Sequence, residues 1–399
     1  MAAQTLVFRW RDYYAAIMTK SLTIGKLGET EIRLHPTLVL VILWVVVDWL
    51  RLGSDRNSAA FVVMLILVVL VFGCVLVHEF GHVLMAREQG VHVHDVSLSA
   101  VGGVSRMDQI SGEPRSEIMI ALAGPAINVA LIVSLFPVVL LTGVVSGFAS
   151  LEDYASTVFS PTLAGLLTTL LYANLLIVCF NLLPAFPMDG GRILRAGMTP
   201  MLGRERATRL AAWIGYALAA AVLLLDILVM HSFILALVAL FIVVVAYAEE
   251  RAVRVESALR RLPVGQFALW DMGGISPDLP LTHALRGGPR DIVVTHEGKV
   301  LGMLWRNRLL AELAAASGRT VREVMDRNIE VVDVDTPVFD VHQLMTEQDR
   351  WAIPVTEQGQ YRGVFTVDRF LHLYRQLTPD PVNAMREFAA RATTERARA

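Results

Sequence analysis

Residues 59–85 read AAFVVMLILVVLVFGCVLVHEFGHVLM, an apolar run that closes on two histidines and a glutamate. A bilayer core about 30 Å thick needs about 20 mostly apolar residues of helix, so this stretch reads as a membrane span. Ionisable side chains inside a span are costly and mark function by default. On a helix, positions i and i+4 share a face, so His78 and His82 can address one zinc ion. Glu79 then stands beside the metal as a candidate base. From His78 to Arg87 is nine residues, or about 13 Å of helix, which sets the metal below the membrane surface. The bland alternative is a helix end carrying solvated histidines.

Working outward, the 399-residue chain is 55 % hydrophobic and only 18 % charged. Residues 1–250 carry 33 charged side chains and residues 251–399 carry 39, so an apolar front precedes an ordinary soluble back. Five more stretches read as spans, about 35–50, 117–142, 162–183, 210–230 and 233–248, the last two joined at Met230–Ser232. Lys and Arg number five before the first span (Arg9, Arg11, Lys20, Lys26 and Arg33), two after it (Arg51 and Arg56), three after the second (Arg87, Arg106 and Arg115), none after the third, five after the fourth (Arg192, Arg195, Arg204, Arg206 and Arg209) and none after the fifth, so alternate loops are the more positive. That pattern puts both termini on the cytoplasmic side. The first 34 residues hold no apolar core of signal-peptide length. A net charge of −2 excludes a strongly basic nucleic-acid binder, and two cysteines, Cys74 and Cys179, exclude a disulfide scaffold. Arginine outnumbers lysine 32 to 3, a composition that points to a GC-rich bacterial genome.

Two histidines leave a catalytic zinc one protein ligand short. The best third candidate is Asp189 in NLLPAFPMDGGRILRA, residues 181–196, which follows the fourth span on the same side of the membrane. Pro184 and Pro187 break the helix there, and irregular backbone at membrane depth is tolerated only where it lines a protein cavity. The alternative is that Asp189 merely caps the helix from 192 onward.

The pairing of HEFGH with NLLPAFPMDGG resembles the site-2 protease family of intramembrane zinc metalloproteases, over about residues 20–250. The resemblance implies one zinc per chain, bound by His78, His82 and Asp189, with Glu79 catalytic. It also implies that Asn181 contacts substrate or the oxyanion, and that Asn128, in AGPAIN, lines the core; an interhelical hydrogen bond is the structural alternative for Asn128. Substrates in the family are membrane-anchored proteins, among them anti-sigma factors already cut by another protease.

Residues 21–34 alternate around Gly28 and predict a small hairpin. Residues 91–105 also alternate, and read either as a surface hairpin or as an extended segment beside the membrane site, able to pair with an unfolded peptide. Cys74 and Cys179 read as packing residues, and His92 and His94 as solvated. Asp48 reads as an interfacial carboxylate and Asp226 as a polar contact between helices.

The soluble back repeats itself. Residues 292–310, IVVTHEGKVLGMLWRNRLL, match 353–371, IPVTEQGQYRGVFTVDRFL, at a constant offset of 61. Each copy reads as strand, turn, strand, helix, and resembles a cystathionine-β-synthase (CBS) domain. Such pairs often bind adenine nucleotides through a Thr or Ser and an Asp three residues on. Here the second copy has Thr366 but Arg369, and the first has Trp305 and Arg308, none of the last three an acceptor for ribose hydroxyls. Arg308 and Arg369 can meet phosphate instead, and a ligand-free dimerisation or gating module is the alternative.

The expected architecture is therefore a polytopic α-helical membrane protein of about six transmembrane helices with a C-terminal α/β CBS-domain pair. Its divisions are an N-terminal cytoplasmic segment 1–34, a metalloprotease domain 35–250, a linker 251–261, CBS halves 262–316 and 317–376, and a polar tail 377–399. The expected function is intramembrane zinc proteolysis in the cell membrane, with a possible homodimer through the CBS pair. A CBS-gated transporter would explain the architecture but not three converging ligands. A CAAX-type peptidase would need ExxxD, and Glu249 and Glu250 are followed four residues on by Val253 and Arg254.

Overall fold

The computed structural model describes residues 21–28, 30–51, 58–99, 102–107, 113–158, 160–270, 274–285, 291–315 and 318–378. The segment 1–20, the tail beyond 378, and the side chains of Asp48 and His94 lie outside the described residues. The chain divides into two compact units, one ending at Val253 and the other taking up the chain from Arg254.

The first unit is helical. Its elements are α1 (Leu38–Arg51), α2 (Ser58–Glu88), α3 (Pro114–Val145), the short α4 (Leu151–Thr157), α5 (Leu163–Asn181), α6 (Asp189–Leu202), α7 (Arg204–Leu225) and α8 (Phe233–Arg261), which continues into the second unit. Among the described residues, four helices are long and apolar enough to cross a membrane: Phe61–Glu88, Pro114–Val145, Leu163–Asn181 and Arg204–Met230. Only 17 % of the most apolar window of Phe61–Glu88 is buried in protein, and Val69, Val133 and Leu141 stand exposed. Apolar side chains turned outward along several helices suit a lipid surface and not water. Of the six expected spans, these four meet that measure among the described residues. The stretch at 35–50 forms α1, described over 14 residues, and α8 turns polar after its first half. The turn between the fifth and sixth stretches is where the sequence placed it: a π-helical turn, Asp226–Met230, runs into His231 at φ 51°. Buried Asp226 ties off this turn by accepting a hydrogen bond from the Ser232 amide at 2.6 Å.

Two hairpins flank α1 and α2 in sequence. Strands β1 (Leu22–Leu27) and β2 (Thr30–Leu34) pair antiparallel, as do β3 (Val93–Ser99) and β4 (Gly102–Met107). They are not separate. Strand β2 pairs parallel with β3, Glu31 opposite Asp95, so one four-stranded sheet runs β1-β2-β3-β4. Arg87, at the end of α2, donates to Thr30 Oγ1 at 2.8 Å and ties the sheet to the helix. Val83, Ala86, Val91, Val93, Val96 and Ile120 form the core between sheet, α2 and α3. This packing sets β4 against the polar end of α2.

The second unit contains β5 (Leu269–Trp270), β6 (Ile292–His296), β7 (Lys299–Leu304), α9 (Arg306–Ala314), α10 (Val321–Val324), β8 (Val332–Asp333), α11 (Val338–Glu347), β9 (Ala352–Glu357), β10 (Gln360–Thr366) and α12 (Val367–Leu377). The repeat appears as two hairpins, β6-β7 and β9-β10, each closed by two residues at positive φ: Glu297 and Gly298, then Gln358 and Gly359. That turn matches the right-handed twist of the strands it joins. Two cores lie here. One gathers Ile275, Val294, Leu304, Leu309 and Val321. The other gathers Val355, Phe365 and Phe370 with Leu259, Val264 and Ala268. Residues 262–270 therefore precede the first copy in sequence yet pack with the second, where β5 also pairs with β10.

Candidate metal centre

Four ionisable side chains converge at the end of α2. His78, Glu79 and His82 are buried, and one ligand atom from each lies within 4.8 Å of the others. The periodicity of α2 puts both imidazoles on one face. His78 Nε2 and His82 Nε2 are 3.2 Å apart. Asp189 arrives from the other side. Its Oδ2 is 3.3 Å from His78 Nε2 and 3.2 Å from His82 Nε2. Asp189 is the first residue of α6, with Met188 at the N-cap, so its carboxylate does not cap the helix and turns to the histidines instead.

The loop that delivers Asp189 is held by packing. Phe186 is buried against Ala211, Ala212 and Ala246, and its amide donates to the Ala211 carbonyl at 3.3 Å. Nearly two turns into α6, Arg195 Nε donates to Glu117 Oε1 of α3 at 2.7 Å, both groups buried. A buried ion pair survives only with good geometry, and here it locks α6 to α3.

Each histidine is oriented through its second nitrogen. His82 Nδ1 meets the Ile120 carbonyl at 2.7 Å. His78 Nδ1 meets Asn128 Oδ1 at 2.6 Å, and Asn128 Nδ2 donates to Asn174 Oδ1 at 2.7 Å. The backbone of α3 passes very close: a Cβ added at Gly124 would stand 2.3 Å from His82 Nε2 and 2.8 Å from His78 Nε2. Across the site, the Ser105 hydroxyl of β4 donates to Glu79 Oε2. A Cβ added at Gly103, on the same strand, would lie 2.4 Å from Glu79 Cγ. Strand β4 therefore lies beside the ionisable cluster.

His78, Glu79, His82, Asp189 and Asn128 thus come together. Asn181 does not join them among the described contacts: its amide donates to the Ile177 carbonyl one turn back in α5, at 2.9 Å. Sequence reasoning missed Ser105, Gly124 and Asn174. The last carried a usable signal, an asparagine in the middle of an apolar span.

Peptidase family M50 matches residues 65–225, and a CBS domain matches residues 321–375. Zinc metalloprotease MJ0392 of Methanocaldococcus jannaschii is 32 % identical over 357 residues, covering 88 % of this chain and 94 % of that protein. The chain belongs to peptidase family M50, the site-2 proteases. Another relative, the putative zinc metalloprotease sll0528 of Synechocystis, is 25 % identical over 83 % of this chain and 89 % of its own length. Among solved structures, the site-2 protease from Methanocaldococcus jannaschii is 34 % identical, covering 58 % of this chain and 95 % of that one, with a TM-score of 0.43. This site-2 protease is thus a metalloprotease by family and a membrane protein, with a CBS domain in its second unit.

Proposed function

We propose that this M50 peptidase is an intramembrane zinc endopeptidase that hydrolyses peptide bonds of membrane-anchored proteins near the cytoplasmic side, as in regulated intramembrane proteolysis. One observation carries the reading: His78 Nε2, His82 Nε2 and Asp189 Oδ2 form a triangle with sides of 3.2, 3.2 and 3.3 Å, and Glu79 stands beside it. Ligands about 2.0–2.1 Å from a tetrahedral zinc stand roughly 3.3–3.4 Å from one another. These three side chains would hold one zinc per chain. When bound, zinc would acidify a water and polarise the substrate carbonyl.

The chain's own residues supply the rest. Glu79 accepts the proton of the attacking water as the new C–O bond forms, and returns it to the amide nitrogen as the C–N bond breaks. The Ser105 hydroxyl holds the Glu79 carboxylate in place. Burial of the cluster between α2, α3 and the start of α6 keeps bulk water from competing. The carbonyls of a helical substrate are already hydrogen-bonded, so the substrate segment must unwind first. Strand β4 ends the sheet beside Glu79, and its outer edge is the surface that would take an extended segment. Asn181, at the end of α5, would touch substrate and not metal.

The alternation of Lys and Arg between spans supports a multi-pass chain in the cell membrane with both termini cytoplasmic, and the arginine-rich composition supports a bacterial source. The substrate class is a membrane-anchored protein such as an anti-sigma factor. For the second unit we propose regulation through the CBS pair, by a homodimer contact or by an adenine nucleotide.

The test uses full-length, zinc-loaded Glu79→Gln protein and a membrane-anchored substrate. Zinc is expected to stay bound while cleavage falls by about 10²–10⁴-fold. Undiminished cleavage would sink the proposal. Substrates trapped on the same variant identify the natural target.

A further inference from the structure

A histidine binds a metal through a bare ring nitrogen, so the proton must sit on the other one. For His82 the Ile120 carbonyl at Nδ1 enforces this directly, because a carbonyl only accepts. His78 faces a side-chain amide instead, and an amide turned over would present N–H to Nδ1. The ring would then carry its proton on Nε2, the atom that points at Asp189 and His82.

What decides the direction lies one helix further out. Asn174 of α5 is fully buried and donates its Nδ2 to the Leu170 carbonyl at 2.8 Å and to Cys74 Sγ at 3.2 Å. The Leu170 carbonyl accepts only, so Asn174 must turn Oδ1 toward Asn128. Asn128, also fully buried, must then turn Nδ2 toward Asn174, with the bond at 2.7 Å, and Oδ1 toward His78. Each step follows from the one before, and the last places the His78 proton on Nδ1. Turning either amide over sets two donors or two acceptors face to face between fully buried side chains, where an unmade hydrogen bond costs about 1–3 kcal/mol.

We propose that Asn174 is a positioning residue for the metal centre: through Asn128 it fixes the Nδ1–H tautomer of His78 and leaves Nε2 bare for zinc. The inference rests on the zinc reading above and adds a residue outside the ligand set, on a helix that contributes no ligand. It also gives Cys74 a task, as a soft acceptor for the second Asn174 proton. A packing role alone would place no demand on the tautomer.

Two measurements test it on the full-length protein in detergent. The first is zinc affinity by competition with a chromophoric chelator, for the parent, Asn174→Leu, and Asn174→Leu with Asn128→Asp. Loss of the orienting partner is expected to weaken zinc by about 10–100-fold, the usual effect of removing an outer hydrogen bond from a ligand histidine. The carboxylate of the double variant has no wrong way round, and zinc affinity is expected to return to within about threefold of the parent. Parent-like affinity in Asn174→Leu, or no recovery in a folded double variant, overturns the inference while leaving the zinc reading intact. A parent that takes up no zinc overturns both. The second measurement needs no substitution: in zinc-loaded protein, ¹⁵N shifts of labelled histidine are expected to show His78 bound to the metal through Nε2 with its proton on Nδ1, and coordination through Nδ1 overturns the inference.

Discussion

Gly124 sits where the helix backbone passes the two ligand histidines, and the space it leaves is the space a metal needs. A methyl group there would stand 2.3 Å from His82 Nε2, far inside contact distance. Gly124→Ala is therefore expected to abolish tight zinc binding, at least 100-fold by chelator competition, while the circular dichroism of the helices stays near parental. Retained zinc affinity would mean that the histidines meet their metal elsewhere. At this scale the sequence was legible where spacing along one helix carries the chemistry, as in His78, Glu79 and His82. Asp189 was legible because two apolar stretches separate it from His82, an even number that returns the chain to the end it left. Ser105, Asn174 and Gly124 were not, because each meets its partner across elements, and no period along the chain encodes that meeting.

Helix α6 carries Asp189, Arg192 and Arg195 in its first two turns, and it is held by an ion pair. Arg195 and Glu117 are both buried, with Glu249 3.7 Å from the same guanidinium. Removing one member of such a pair leaves an unpaired charge and typically costs 3–5 kcal/mol. Arg195→Ala is expected to lower the thermal midpoint in detergent and to loosen zinc, because Asp189 begins the same helix. Replacing both partners, Arg195→Met with Glu117→Met, is expected to recover most of the stability. An unchanged midpoint in the single variant would show that α6 is held by packing alone. At the scale of elements, apolar runs marked most helices within a few residues, and alternation marked both hairpins. The parallel pairing of β2 with β3 escaped notice, since partners more than sixty residues apart share no local signal.

The two units carry separate cores and are expected to respond differently to acid. In the second unit His342 stacks on Phe370, ring centroids 3.7 Å apart, and burial lowers its pKa to about 4. An unfolded histidine titrates near 6.5, so between about 6.5 and 4 the unfolded chain binds a proton that the fold refuses. The second unit is thus expected to be fully stable above that window and to lose up to about 3 kcal/mol as pH falls through it. Hydrogen exchange on the full chain checks this. Protection in β9, β10 and α12 should fall with pH, with α3 and α5 little changed, and His342→Phe should flatten the trend. A pH-independent second unit would remove His342 from the account. The composition by itself determined that an apolar front joins a polar back, because lipid and water demand different side chains along each stretch. The HExxH spacing by itself determined that two histidines share a helix face. The tertiary structure alone decided how the sheet closes, which core receives residues 262–270, and which buried amides hold His78. Those outcomes depend on contacts between distant segments, whose strength comes from burial and not from local pattern.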